Sequence, residues 1–340
     1  MRLAFVTALI VLFPGYTWSY SVFSGYGMGE IVWGNAIGRG RGSISVLNIP
    51  ETMSLELSFS SDFISSREEK HRRSDFAFNL PCTRYFIPLP DEFGIDLGLR
   101  NFLNMDFNIK SSQDTIGEET YTQYINGKGG VNIASWEITK RIKGLSLRGG
   151  LSFLFGSFVE RWTTDFDKGK DIVDTLEMNF LGKGVTFALS YRFEDLIFAL
   201  SYAFPVKVKG KNHDYLFPWK REFTSLYEVS DNLRILSGIW VSPWGSFKVD
   251  GNPPKTRFWS SSKISFGIEY FKKSTILRCG VYTMSWYYGD IRENMCSLGV
   301  GTPFKDGEVN LSLELGRRSN PDIVEDVIRL CVTFIGREKW

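Results

Sequence analysis

The stretch Phe93-Gly-Ile-Asp-Leu-Gly-Leu-Arg-Asn-Phe-Leu-Asn-Met-Asp-Phe-Asn-Ile-Lys110 decides the fold class. Phe93, Ile95, Leu97, Leu99, Leu103, Met105, Phe107 and Ile109 occupy odd positions, while Gly94, Asp96, Gly98, Arg100, Asn104, Asp106, Asn108 and Lys110 occupy even ones. Only Asn101 and Phe102 interrupt the alternation. A period of two over this length is a long β-strand with one apolar and one charged face. The same pattern returns at 53–59, 145–155, 185–193, 196–204, 309–315 and 328–334.

Working outward, the alternation and its interruptions predict strands at 52–65, 72–87, 93–110, 117–140, 144–162, 174–194, 196–208, 217–230, 232–245, 256–271, 273–287, 292–304, 307–317 and 325–337. About fourteen strands is an even number, as single-chain outer-membrane barrels have. Tight links at 88–92, 143–144, 194–195, 231–232, 272–273 and 305–306 alternate with mostly longer polar links at 66–71, 111–116, 163–173, 209–216, 246–255, 288–291 and 318–324. Short inner turns and longer outer loops sort this way in a membrane barrel. A secreted β-sandwich also alternates, but its strands are shorter and it has no reason to sort loops by side. The reading is therefore all-β: a transmembrane antiparallel barrel of about 14 strands with an N-terminal luminal plug. Bulges are expected near Pro81-Cys82 and at 133–136.

Composition agrees. The 340 residues carry 28 Phe, 14 Tyr and 10 Trp, and 40 Lys+Arg against 38 Asp+Glu leave a net charge of +2. No basic block invites nucleic acid. Beyond the first fifteen residues, no apolar run approaches the roughly 20 residues of a membrane helix. At the N-terminus, Met1-Arg2, the apolar run 3–13 and the small residues around Thr17-Trp18-Ser19 read as a secretory signal, cleaved after Ser19. Three regions follow: 1–19 signal peptide, 20–51 plug, 52–340 barrel. The plug segment mixes glycines with Phe23, Met28 and Trp33, ahead of Arg39 and Arg41; a periplasmic tail is the competing reading. The chain is expected in the cell outer membrane, with the lipid bilayer and a hydrophobic small molecule as partners and barrel-assembly machinery acting during biogenesis.

The strand phases point Asp96, Arg100, Asp106, Arg148, Glu160, Arg192, Glu269, Glu314 and Arg329 into the lumen. A ladder of mutually satisfied ion pairs explains them most simply, because unpaired buried charge is costly. The sharper alternative has Arg100 or Arg148 holding a carboxylate head while plug aromatics hold an apolar tail. Catalysis is not expected: His71 and His213 are the two histidines, both in outer loops, with no nucleophile or orienting partner in view. Four cysteines without a C-x-x-C spacing give no metal site and no cofactor. Cys279 and Cys296 are either a cross-strand disulfide or two lipid-facing thiols. Trp162, Trp219, Trp240, Trp244, Trp259, Trp286, Tyr287, Tyr288 and Trp340 fall near strand ends and read as an interfacial girdle. Register also predicts that Asp96→Leu is tolerated, whereas Leu97→Arg is costly.

Gly25-Tyr-Gly-Met-Gly29 and Asn35-Ala-Ile-Gly-Arg-Gly-Arg-Gly-Ser-Ile-Ser45 resemble the N-terminal segment of long-chain fatty-acid transporter (FadL/TodX-like) outer-membrane proteins. Leu298-Gly-Val-Gly-Thr-Pro-Phe304, Asn310-Leu-Ser-Leu-Glu-Leu-Gly-Arg-Arg318 and Val327-Ile-Arg-Leu-Cys-Val-Thr-Phe334 are similar to that group's last strands. The resemblance implies a fourteen-stranded barrel with an N-terminal hatch and uptake of hydrophobic compounds. A non-transporting barrel, serving as scaffold or secretion-system component, is the alternative.

Overall fold

The computed structural model describes residues 21, 28, 30–44, 50–68, 71–111 and 113–338. The signal peptide, Phe23 and Trp340 lie outside them. Fourteen staves run β1 (Met53–Glu68), β2 (His71–Pro88), β3 (Phe93–Asn104, continued by Phe107–Lys110 and Asp114–Ile116), β4 (Glu119–Ile142), β5 (Leu145–Phe166) and β6 (Ile172–Phe193). They continue as β7 (Leu196–Ala203 and Val206–Lys209), β8 (Asp214–Phe217 and Lys220–Ser230), β9 (Leu233–Pro243), β10 (Ser260–Lys272), β11 (Thr275–Ser285), β12 (Arg292–Phe304), β13 (Gly307–Ser319) and β14 (Ile323–Glu338). Each pairs antiparallel with the next, and β14 closes on β1 from Met53↔Glu338 to Glu68↔Ile323. Closure leaves no free edge through the bilayer.

The faces sort inside-out. Along β10, Ile264 and Phe266 point outward at 59% and 45% exposure, whereas Lys263, Ser265 and Glu269 point inward at 2%, 3% and 4%. Water outside could not stabilise such a surface; lipid does. At the short-turn end, Lys143-Gly144 takes φ of +42° and +86°, the left-handed pair a two-residue hairpin requires.

Two expectations about length and phase are revised. Strand extends into both polar links, over 114–116 in the first and over 163–166 and 172–173 in the second: β4 has 24 residues and β5 and β6 have 22 each. At about 3.3 Å per residue β4 runs to ~80 Å, far more than the roughly 9–11 residues that cross a bilayer, so this hairpin sheet projects beyond it. The second revision concerns β3. Its register shifts between Asn101 and Leu103, and Phe102, Leu103, Met105 and Phe107 turn into the barrel, all at most 4% exposed. The outer half of the stretch that decides the fold thus faces protein rather than lipid. The bulge expected near Pro81 is present, between Ser58 and Ser60 of β1 opposite Cys82 and Asn79.

The aromatic girdle is also only partial. Trp162 and Trp259 are exposed at 44% and 46%, but Trp240, Trp244, Trp286 and Tyr287 are at most 5% exposed. Trp244, at the start of the strap 244–259, stacks on Tyr287 at 4.1 Å, so these two rings pack with each other inside the outer end.

Candidate functional site

β3 changes partners within the wall. It pairs with β2 from Pro88↔Gly94 to Cys82↔Arg100 and no further, and then Leu103 and Asn104 pair with the two-residue strand Glu30–Ile31. Val32 N–H donates to the Phe102 carbonyl at 3.0 Å. Residues 71–81 of β2 keep β1 on one side but lose β3 on the other. Arg73 bridges the outer end by donating to the Asn108 carbonyl. Between that contact and the Cys82↔Arg100 pair, the ladder of the wall is open. Glycines on the neighbouring staves permit the inward turn: a Cβ on Gly130 would stand 2.2 Å from the Leu103 carbonyl oxygen.

Residues 30–44 sit in the lumen. Helix α1 (Ala36–Gly40) is capped by Asn35, whose Oδ1 accepts Gly38 N–H at 2.9 Å. Its backbone lies on a row of small residues: a Cβ on Gly280 would meet Gly42 N at 2.1 Å, and one on Gly267 would meet the Arg41 carbonyl oxygen at 2.4 Å. Gly42 N–H donates to Ser297 Oγ at 3.1 Å, and Lys263 Nζ donates to the Ser43 carbonyl at 2.7 Å.

Charge fastens the segment. Arg39 pairs with Glu314 at 2.9 Å and Arg41 with Glu269 at 3.2 Å. Arg329 meets Asp62, Glu314 and Glu30 at 2.9, 3.1 and 3.1 Å, and Arg318 meets Glu293 at 2.9 Å and also Glu30. Arg278 bonds Glu269 at 2.9 Å. Near the short-turn end, Asp96 accepts from Arg84 Nε at 2.9 Å and faces Arg148 at 3.2 Å, with Glu137 3.7 Å from Arg148.

Most of the sequence-derived residues therefore meet in this ladder. Asp96, Arg148, Glu269, Glu314, Arg39 and Arg41 are members. Asp106 is buried and accepts Gly129 N–H at 2.6 Å. Arg192 stands apart, pairing with Glu228 at the short-turn rim. Met28 donates its N–H to the Tyr287 hydroxyl at 2.9 Å, and Trp33 packs edge-on against Trp240 at 5.2 Å. Glu30, Asp62, Arg84, Arg278, Glu293, Arg318, Lys220 and Lys263 are further members of the luminal set that sequence reasoning did not single out. Strand phase carried a signal for Arg278 and Lys263; Glu30, in a glycine-rich run, offered none. Cys279 and Cys296 are free and exposed on the lipid face.

A cavity of ≈ 390 Å³ lies between this segment and the wall from β1 to β8, lined by Trp33, Phe102, Leu154 and Phe217 and by Arg100, Lys220 and Glu222. It reaches Cys82 and Arg100, the last pair of the β2–β3 ladder. At the outer end, Asp250 in the strap accepts Asp214 N–H at 2.8 Å and contacts His213 Nδ1 at 2.6 Å. These two contacts hold its carboxyl below the usual range. Burial pushes the Tyr287 hydroxyl up.

Solved structures share this architecture. The chain superposes on a Pseudomonas aeruginosa FadL homologue with TM-score 0.66 at 10% identity, covering 89% of this chain and 99% of the other. The Pseudomonas putida toluene transporter TodX gives 0.64 at 11%, covering 91% and 99%. The fold is that of the FadL-type barrels. A third member of this FadL-type set, the CymD monoaromatic hydrocarbon channel, gives 0.62 at 12%, covering 92% and 99%. No protein-family model matches the chain, and no curated protein matches it.

Proposed function

We propose that this chain is an outer-membrane channel, not an enzyme, for passive uptake of small hydrophobic or amphipathic compounds. Residues 20–51 act as its plug after a signal peptide is removed and the barrel-assembly machinery has inserted the rest. The observation that carries the reading is the luminal cavity ending at an interrupted β2–β3 ladder. A solute entering from outside finds aromatic walls, then an opening toward the hydrocarbon rather than an aqueous pore, so no energy input is required. Toluene and monoaromatic hydrocarbons, the compounds named for TodX and CymD, are of the kind such a path would pass.

Vesicles with a lipopolysaccharide outer leaflet test it. Incorporation of the protein should speed entry of a neutral apolar probe such as dodecanol while a trapped polar dye stays inside. Equal entry with and without protein would instead favour the scaffold reading, to which the projecting β3–β6 sheet lends its exposed Ile116, Ile172 and Leu176.

A further inference from the structure

On the outside of the wall, β6 and β7 carry basic residues side by side. Gly182, Val206 and Val208 turn inward there, and a Cβ on Gly182 would stand 2.7 Å from Val208 Cγ2 and 2.9 Å from the Lys207 carbonyl oxygen. Lys183, Lys207 and Lys209 have the opposite phase, so they point outward, and all three are exposed. Val208 pairs with Gly182 and Lys209 with Leu181, so the next step of the same register sets Lys207 beside Lys183. Cross-strand neighbours on one face have Cβ atoms about 4.5–5.5 Å apart and diagonal ones about 7–8 Å apart. One patch therefore holds all three ammoniums.

Like charges opposite each other on a sheet are destabilising. A carboxylate answers Lys207, for Asp214 lies 3.2 Å from its Nζ. Lys183 and Lys209 make no ion pair among the described residues, whereas two other outward cations of the outer half do: Lys211 meets Glu177 at 3.4 Å and Arg317 meets Asp326 at 2.8 Å. Height is the second observation. At about 3.3 Å per residue and a tilt of about 40°, the climb along β6 from Phe193, beside the short turn, to Lys183 is ~25 Å, which is the height of the apolar band of such a barrel. Apolar surface adjoins the patch: Phe153 pairs with Lys183, and Leu181 and Val185 flank it, at 36%, 66% and 47% exposure. Unneutralised positive charge thus borders lipid-facing surface at the level where an outer leaflet keeps its headgroups.

We propose that this patch binds a phosphorylated lipid of the outer leaflet, of the lipopolysaccharide class. Its ammoniums receive a phosphate of the glucosamine headgroup, and an acyl chain lies on Phe153, Leu181 and Val185. Lysine binds phosphate as a point charge, so three converging ammoniums need no fixed direction of approach. Their alkyl stems cover apolar surface while the charged heads stay at the interface. The patch faces away from the lumen and rests on the outer-membrane placement of the barrel, not on what the lumen passes.

Binding of lipid A to the purified full-length barrel, counted by native mass spectrometry, tests this. Wild type should bind bisphosphorylated lipid A roughly tenfold or more tightly than its dephosphorylated form and than phosphatidylglycerol. Replacing all three residues, Lys183→Gln, Lys207→Gln and Lys209→Gln, should collapse both ratios in barrels shown to be folded by heat-modifiable migration, and the matching triple change to arginine should keep them. Equal binding of the phosphorylated and dephosphorylated lipids by wild type overturns the proposal without recourse to any variant. Phosphatidylglycerol binding as tightly as lipid A overturns it in favour of a belt of lysines that meets any anionic lipid. Inorganic phosphate binding as tightly as lipid A also overturns it, since the lipid would then be incidental.

Discussion

Asp96 and Leu97 are adjacent, yet the structure reverses their expected sensitivities. Asp96 is 3% exposed between Arg84 and Arg148, so Asp96→Leu leaves two guanidiniums short of a counter-charge. Removing one partner of a buried pair costs about 3–5 kcal/mol. Leu97 does face outward, at 38% exposure, but it lies close to the turn that precedes Phe93. An outward arginine near an interface costs only about 0–1 kcal/mol. Urea unfolding in vesicles should therefore show the larger loss for Asp96→Leu; a larger loss for Leu97→Arg would contradict the register or the pairing. Glu30 is the second informative residue, because Arg318 and Arg329 both lean on it. Glu30→Gln should loosen the luminal segment more than the wall, giving flickering conductance in a barrel that still resists denaturation by detergent at room temperature.

Among the elements, β10 to β14 were fully legible, since each alternates cleanly with lipid on one side and polar lumen on the other. β3 was legible as a strand but not in its path. Leu103, Met105 and Phe107 alternate identically whether they meet lipid or the luminal segment, because both surroundings are apolar. Alternation reports a face, never a partner. Lys220 stayed hidden for a related reason: Pro218 breaks β8, and the residues around it carry no steady phase. The seat of the luminal segment was equally silent, since a glycine on a strand announces close approach without naming what approaches. Gly280→Leu tests that seat. The new side chain would occupy the position of Gly42 and Arg41 backbone atoms, so the segment should be displaced while β11 still pairs with β10 and β12. Higher conductance with normal folding is expected, and unchanged conductance would mean the segment does not rest there. The strap 244–259 gives a pH prediction. Asp250's lowered carboxyl contributes above the unfolded carboxylate range, near 3.9, and its contribution fades as pH falls through the lower folded value. Hydrogen-exchange protection of the strap, taken relative to the intrinsic amide rate at each pH, should hold from about pH 7 to 5 and fall below about pH 4; a fall already near neutrality would assign the latch to another group.

At the scale of the whole molecule, closure, lumen and luminal segment are linked by one argument. Barrel width grows with strand number, and fourteen staves enclose more space than their own side chains fill, so a closed state needs something inside. The described part of the N-terminal segment is held there by charges on β10, β13 and β14, leaving the cavity on the opposite side, toward β2 and β3. On the proposed uptake reading, a solute would pass beside the segment rather than through a space it vacates. Because β1 to β14 close without the segment, its loss should open the lumen without unfolding the wall. Planar-bilayer conductance of the intact chain against a variant lacking residues 22–42 measures this directly. The account predicts little ionic current through the intact protein and a large, steady current through the folded deletion variant; equal currents from two folded barrels would contradict it.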